Sequence, residues 1–177
     1  MPLYLDTSAL AKRYLPEGTS SQTVRRILSR SADWGGSVVS AIVHPEVVSA
    51  FATKIRANSI PLQRREATAC LPAVMAEVRR ELGSGAFRVL PVNDLILDDA
   101  ARLIEANPLL NIGAADAIHL ATAMEVRADL DSDLSLVFVT ADRGLAEVAQ
   151  RERFEVFDPL YDRADKLHQL PGLRPSR

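Results

Sequence analysis

Five short runs of apolar, largely β-branched or aromatic residues punctuate the chain, at 3–5, 37–40, 87–90, 136–140 and 154–157. They show no polar alternation, as expected of strands covered on both faces. Stretches of helical periodicity separate them, at 8–15, 20–29, 42–57, 61–82, 94–106, 114–127 and 145–152. In the longest, Ala67, Cys70, Leu71, Val74, Met75, Val78 and Leu82 form one apolar stripe. Pro61 suits its first turn, and Pro72 is expected to kink or split it. Parallel strands need long crossovers, usually helical. The alternation therefore predicts a three-layer α/β/α sandwich around a mainly parallel sheet of about five strands. At 177 residues the chain suits one domain. We expect a folded unit over 1–158 and a tail over 159–177, frayed from 170 onward, with the polar stretch 129–133 as a loop.

A parallel sheet offers its ligand sites beyond the carboxyl ends of its strands. Three acids fall there. Asp6 ends LYL, Glu46 follows SVVSAIVHP, and Asp142 closes LVFVTAD. Each also has an ordinary local use: Asp6 as a helix cap, Glu46 beside a helix dipole, Asp142 in a turn. Their shared position after a strand favours one site. Asp116 lies in NIGAADAIHLATAM, apolar nearly all round, where an ionised carboxylate is costly unless paired, capping or bound to a metal. No strand immediately precedes it, so sheet-edge logic does not place it. Four carboxylates held together repel and call for protons or a cation. Oxygen ligands favour Mg²⁺ or Mn²⁺ over zinc, and such ions promote phosphodiester hydrolysis.

Composition excludes more than it assigns. With 47% hydrophobic and 25% charged residues, wholesale disorder is not expected. Cys70 is the single cysteine, and no apolar run is long enough to span a bilayer. The opening residues read as a strand rather than a leader, so a cytoplasmic location is expected. Net charge is -2, but unevenly spread: residues 1–88 carry 12 Lys/Arg against 7 Asp/Glu, and residues 89–177 carry 9 against 16. A basic surface beside an acidic site fits that asymmetry, as do solvated helix faces.

Taken in order, DTSALAKRYLPEGTSS, SAIVHPEVVSAF, GAADAIHLATA and LVFVTADRGLAEVA resemble PIN-domain ribonucleases, most closely VapC-type toxins of bacterial toxin–antitoxin pairs. The likeness runs from Leu3 to about Phe157 and implies a PIN-like central sheet. It maps the family's acids onto Asp6, Glu46, Asp116 and Asp142, with Ser8 and Thr140 as supporting hydroxyls. It implies a Mg²⁺- or Mn²⁺-dependent endoribonuclease, a homodimer, an RNA substrate and a cognate VapB-like antitoxin. In that mechanism Asp6, Asp116 and Asp142 hold the ion, and Glu46 ligates it or orients the attacking water. Lys12 and Arg13, one turn past Ser8, are candidates for the scissile phosphate, with a solvated helix face as the alternative. Arg25, Arg26, Lys54, Arg56, Arg64 and Arg65 are candidate backbone contacts.

Two other functions compete. One is a catalytically silent RNA- or partner-binding module on the same fold. The other is a phosphatase-like domain with Asp6 as nucleophile; such enzymes want a second acid two residues on, where this chain has Ser8. His44, His119 and His168 lack zinc spacing with a cysteine. His119, one turn after Asp116, is expected to pack or cap rather than catalyse. Trp34 is expected to anchor packing, and Gly83–Ser84–Gly85 to form a turn. Apolar faces around 47–55 and 71–78 suit core packing first, and a dimer or antitoxin surface second.

Overall fold

A computed structural model describes residues 1–15, 18–60, 63–110, 112–131 and 134–167, together with the backbone of 168 and 169. The strands are β1 (Leu3–Leu5), β2 (Ser37–Ser40), β3 (Arg88–Leu90), β4 (Val137–Val139) and β5 (Glu155–Phe157). The helices are α1 (Thr7–Tyr14), α2 (Thr19–Ser29), α3 (Val43–Arg56), α4 (Arg64–Gly83), α5 (Asp94–Ala106), α6 (Ala114–Ala128) and α7 (Arg143–Arg151). All five strands are parallel, in the order β3-β2-β1-β4-β5. The predicted α/β/α sandwich is therefore present, and its sheet is wholly parallel.

Two apolar layers flank the sheet, sorted by the two-residue period of its strands. Leu3, Leu5, Val39, Val137 and Val139 meet Leu10, Ile27, Val47, Phe51, Met75 and Val78 on the α1–α4 face. Tyr4, Val38 and Phe138 meet Ile96, Leu103, Leu120, Val126, Leu145 and Val148 on the α5–α7 face. The Tyr4 and Phe138 rings stack at 5.3 Å, and Phe154 tilts against Phe138 at 5.7 Å. Trp34 is buried as expected, ahead of Gly35 and Gly36, whose φ of 93° turns the chain into β2. Ala164 and Leu167 join the α1–α4 layer, so part of the segment after 158 packs on the core. Residues 170–177 and Pro61 lie outside the described residues, as do Ser132 and Asp133 of the predicted loop.

The 61–82 stretch departs from expectation in two ways. Helix α4 runs unbroken through Pro72, because that proline is exposed and the Thr68 carbonyl it leaves unpaired is on a solvent-facing turn. Cys70 leaves the stripe for solvent, while Glu81 goes in. The inward face thus turns further round the helix than the apolar letters indicate.

Candidate active site

The strand order reverses at β1, the switch point where open parallel sheets leave a crevice. Asp6 follows β1 directly. Its backbone N–H donates to the Val139 carbonyl at 3.1 Å, tying the end of β1 to β4. Its carboxylate caps α1, accepting from the Ala9 N–H at 2.8 Å. The same carboxylate accepts from Ser8 Oγ at 2.9 and 2.8 Å and from Thr140 Oγ1 at 2.8 Å. Ser8 Oγ in turn accepts from the Ala141 N–H, and Thr140 Oγ1 from the Asp142 N–H. Two hydroxyls thereby lace the ends of β1 and β4 together around one acid. Burial pushes the Asp6 carboxyl above its ordinary 3.8, against the lowering effect of His119 and of these hydrogen bonds.

Glu46 stands in the first turn of α3, just beyond β2. It is held from the side: Thr7 Oγ1 donates to Oε2 at 2.6 Å, and His119 Nε2 meets the same oxygen at 2.6 Å. Burial opposes its ionisation, but the bonds from His119 and Thr7 together outweigh that and hold its carboxyl below 4.5. Asp142 caps α7, accepting from the Leu145 N–H at 2.8 Å. Asp116 comes from α6, on the opposite face of the sheet from α3. There it accepts from the Gly113 N–H at 2.9 Å. Burial raises its carboxyl above 3.8, and the charges of Asp142 and Glu46 push the same way.

All four acids line one cleft of about 410 Å³, together with Thr7, Ser8, Lys12, Ser49, Lys54 and His119. The structure brings the four together, Asp116 included, which strand-end logic had left unplaced. It does not draw them into a cage. Among the described residues, no group of three or more His, Cys, Asp or Glu side chains stands at metal-binding spacing. Each of the four carboxylates accepts from a local N–H or O–H donor. The donor set is nonetheless all carboxylate oxygen with supporting hydroxyls, which fits a hard divalent ion. The bland capping roles of Asp6, Asp142 and Asp116 are all real and coexist with the cleft.

The two candidate phosphate residues part company. Lys12 lines the cleft and is buried there. Arg13, 100° further round α1, points to α4, where its guanidinium pairs with buried Glu81 through Nε at 2.6 Å and through its terminal nitrogen. Of the other candidates, Lys54 alone reaches the cleft. Arg26 pairs with Asp165 at 2.9 Å, and Arg25, Arg56 and Arg64 bond to nearby oxygens of their own helices or of neighbouring segments. Thr7 and Tyr4 were not singled out from the sequence. Thr7 is part of the DTS run and needed only a partner to be visible, whereas the Tyr4 hydroxyl was hidden inside an apolar strand.

The fold and the cleft define a class: an α/β domain with four acids and two lacing hydroxyls at the topological switch point of a parallel sheet. The chain belongs to the PIN domain family, whose model matches residues 3–151. Its fold is similar to that of FitAcB from Neisseria gonorrhoeae, with a TM-score of 0.59 and 20% identity over 90% of this chain and 99% of that one. FitAB bound to an IR36 DNA fragment compares equally, at 0.59 and 20% over 90% and 96%. PAE2754 from Pyrobaculum aerophilum gives 0.50 and 18% over 90% of each chain. At such identities the likeness is one of fold. No curated protein matches the chain in sequence.

Proposed function

We propose that the chain is a metal-dependent endoribonuclease acting as the toxin of a toxin–antitoxin pair. The observation that carries the nuclease reading is the meeting of Asp6, Glu46, Asp116 and Asp142 in one cleft of a PIN domain. The toxin role and a VapB-like antitoxin partner rest on the ordered motifs that resemble VapC-type toxins. The likeness to FitAB supports the fold beneath that reading.

Asp6, Asp116 and Asp142 would hold Mg²⁺ or Mn²⁺, with Glu46 as a fourth ligand or as the group that orients water. Such an ion, when bound, neutralises charge on the scissile phosphate and makes water a better nucleophile. The chain's own residues supply the rest. Ser8 and Thr140 keep the Asp6 carboxylate in place, and Thr7 and His119 do the same for Glu46. Lys12, on the wall of the same cleft, offers an ammonium to a backbone phosphate.

Purified protein incubated with structured RNAs should cut in Mg²⁺ and stop on chelation, and Asp6→Asn should cut at least a hundred times more slowly, about the loss expected when a catalytic ligand goes. An Asp6→Asn protein that cuts like wild type would end the proposal. A silent binding module is favoured by one observation, the engagement of every carboxylate by a local donor. Metal titration of the melting temperature separates the two, since only an occupied site stabilises the folded state.

A further inference from the structure

His119 is 1% exposed and lies on α6 directly behind Glu46. Its ring joins three elements. Nε2 meets Glu46 Oε2 of α3 at 2.6 Å and Thr7 Oγ1 of α1 at 3.0 Å, while Nδ1 meets the hydroxyl of Tyr4, fully buried in β1, at 3.0 Å. The proton order in this chain follows from donor and acceptor capacity. An ionised carboxylate only accepts, so the nitrogen facing Glu46 carries hydrogen. Thr7 gives its own hydroxyl proton to Glu46 and so has none for Nε2. At the far end, the Tyr4 hydroxyl meets Nδ1 and holds the ring from behind. The hydrogen on Nε2 is thus set by the surrounding network.

Both bonds to Glu46 land on Oε2, and among the described residues Oε1 has no hydrogen-bond partner. We propose that His119 is a positioning residue: an imidazole, held from behind by Tyr4, whose Nε2–H pins one oxygen of Glu46 and leaves the other to the cleft. A carboxylate pinned by one oxygen meets a ligand at a lower entropic cost than a free one, because its rotamer is already chosen. Packing alone does not require this arrangement. The fold needs a partner for the buried Tyr4 hydroxyl, and a ring bonded only to Tyr4 would satisfy it. The second bond, from Nε2 to a carboxylate whose side chain is 28% exposed, reaches out of the core into the cleft.

The inference rests on the metal-nuclease reading of the cleft, and its test separates the two. Mn²⁺ affinity is measured without RNA by paramagnetic resonance on wild type, His119→Leu, His119→Gln and Tyr4→Phe, each also melted. Long-range nitrogen–proton NMR of the metal-free wild type reads the tautomer. His119→Leu should bind Mn²⁺ at least about tenfold more weakly, the usual scale for a supporting contact to a ligand. His119→Gln, whose amide can donate to Glu46 from a similar place, should recover most of that loss. Tyr4→Phe should bind several-fold more weakly. The NMR spectrum should show hydrogen on Nε2. An Nε2 without hydrogen, or wild-type affinity in His119→Leu, overturns the inference and leaves the nuclease reading standing. If His119→Leu does not melt cooperatively, the other two variants decide: Tyr4→Phe equal to wild type overturns it. A wild-type protein that neither binds Mn²⁺ nor cuts RNA removes the nuclease reading and the inference with it.

Discussion

At the scale of residues, the acids of the cleft do two jobs, and the two pull against each other. Asp6 caps α1 and is also buried among hydroxyls beside other carboxylates. Its carboxyl is raised by burial, so the folded state holds the proton more tightly than the unfolded chain does. The unfolded state therefore loses its proton near 3.8 and the folded state at higher pH. Stability falls across that interval and stays lower at neutral pH. Asp6→Asn keeps a cap acceptor and removes the charge. In chelator at pH 7 it should melt above wild type, with the difference shrinking as pH falls toward 3.8. Differential scanning calorimetry at several pH values checks this; a lower melting temperature at pH 7 would show that the hydrogen bonds to Asp6 outweigh its desolvation.

Elements decide what neighbouring letters do. Lys12 and Arg13 read as a pair in the sequence, yet consecutive residues on a helix diverge by about 100°. Lys12 goes to the cleft and Arg13 to α4. There Arg13 and the Tyr14 hydroxyl, the latter at 2.7 Å, both bond to Glu81, which is 5% exposed. Arg13 holds the Glu81 carboxyl below 4.5 against the effect of burial, with Tyr14 helping. A depressed carboxyl contributes stability above the unfolded value and loses it as pH falls through the folded one. Glu81→Gln should cost about 3 kcal/mol at neutral pH in urea titrations, the scale for breaking a buried pair. The gap between the two proteins should close well below pH 4.5. Lys12→Met should instead weaken RNA binding and reduce the salt slope of log K by about one, since one phosphate contact is lost. A slope equal to wild type would assign Lys12 to packing. The same turn-by-turn logic explains α4: the sequence marks an apolar stripe, but the helix rotates Glu81 inward because two donors await it.

For the whole molecule, the sheet order sets the site. β1 sits between β2 and β4, so acids beyond these three adjacent strands meet in one crevice, and α6 brings Asp116 in from the other face. The aromatic stack at Tyr4, Phe138 and Phe154 supports this central region. Phe138→Ala is expected to cost about 4 kcal/mol, as for a large buried ring removed from a well-packed core. Divalent ions should act on the same scale. At a hundred times its dissociation constant, Mg²⁺ or Mn²⁺ should add about 2.7 kcal/mol to unfolding. Asp142→Asn should abolish most of that gain, and a gain identical in the variant would place the ion elsewhere. No helix among the described residues is long and apolar enough to cross a membrane.

Strand and helix were readable from the sequence because their periods, two and 3.6, are local properties of the chain. So was the placement of Asp6, Glu46 and Asp142 after strands, and from it the expectation of a shared cleft. The parting of Lys12 from Arg13, the inward turn of Glu81 and the unbroken passage through Pro72 depended on which face each helix shows its neighbours. The same holds for the seat of Asp116, and for the line from Tyr4 through His119 to Glu46, whose ends are joined by residues 115 and 73 positions apart in the chain. Hydrogen bonds of that reach arise only once the sheet has ordered its strands, since donor and acceptor share no local period. Local periodicity specifies the layers and puts three of the acids after strands; which partner each acid keeps follows from long-range packing.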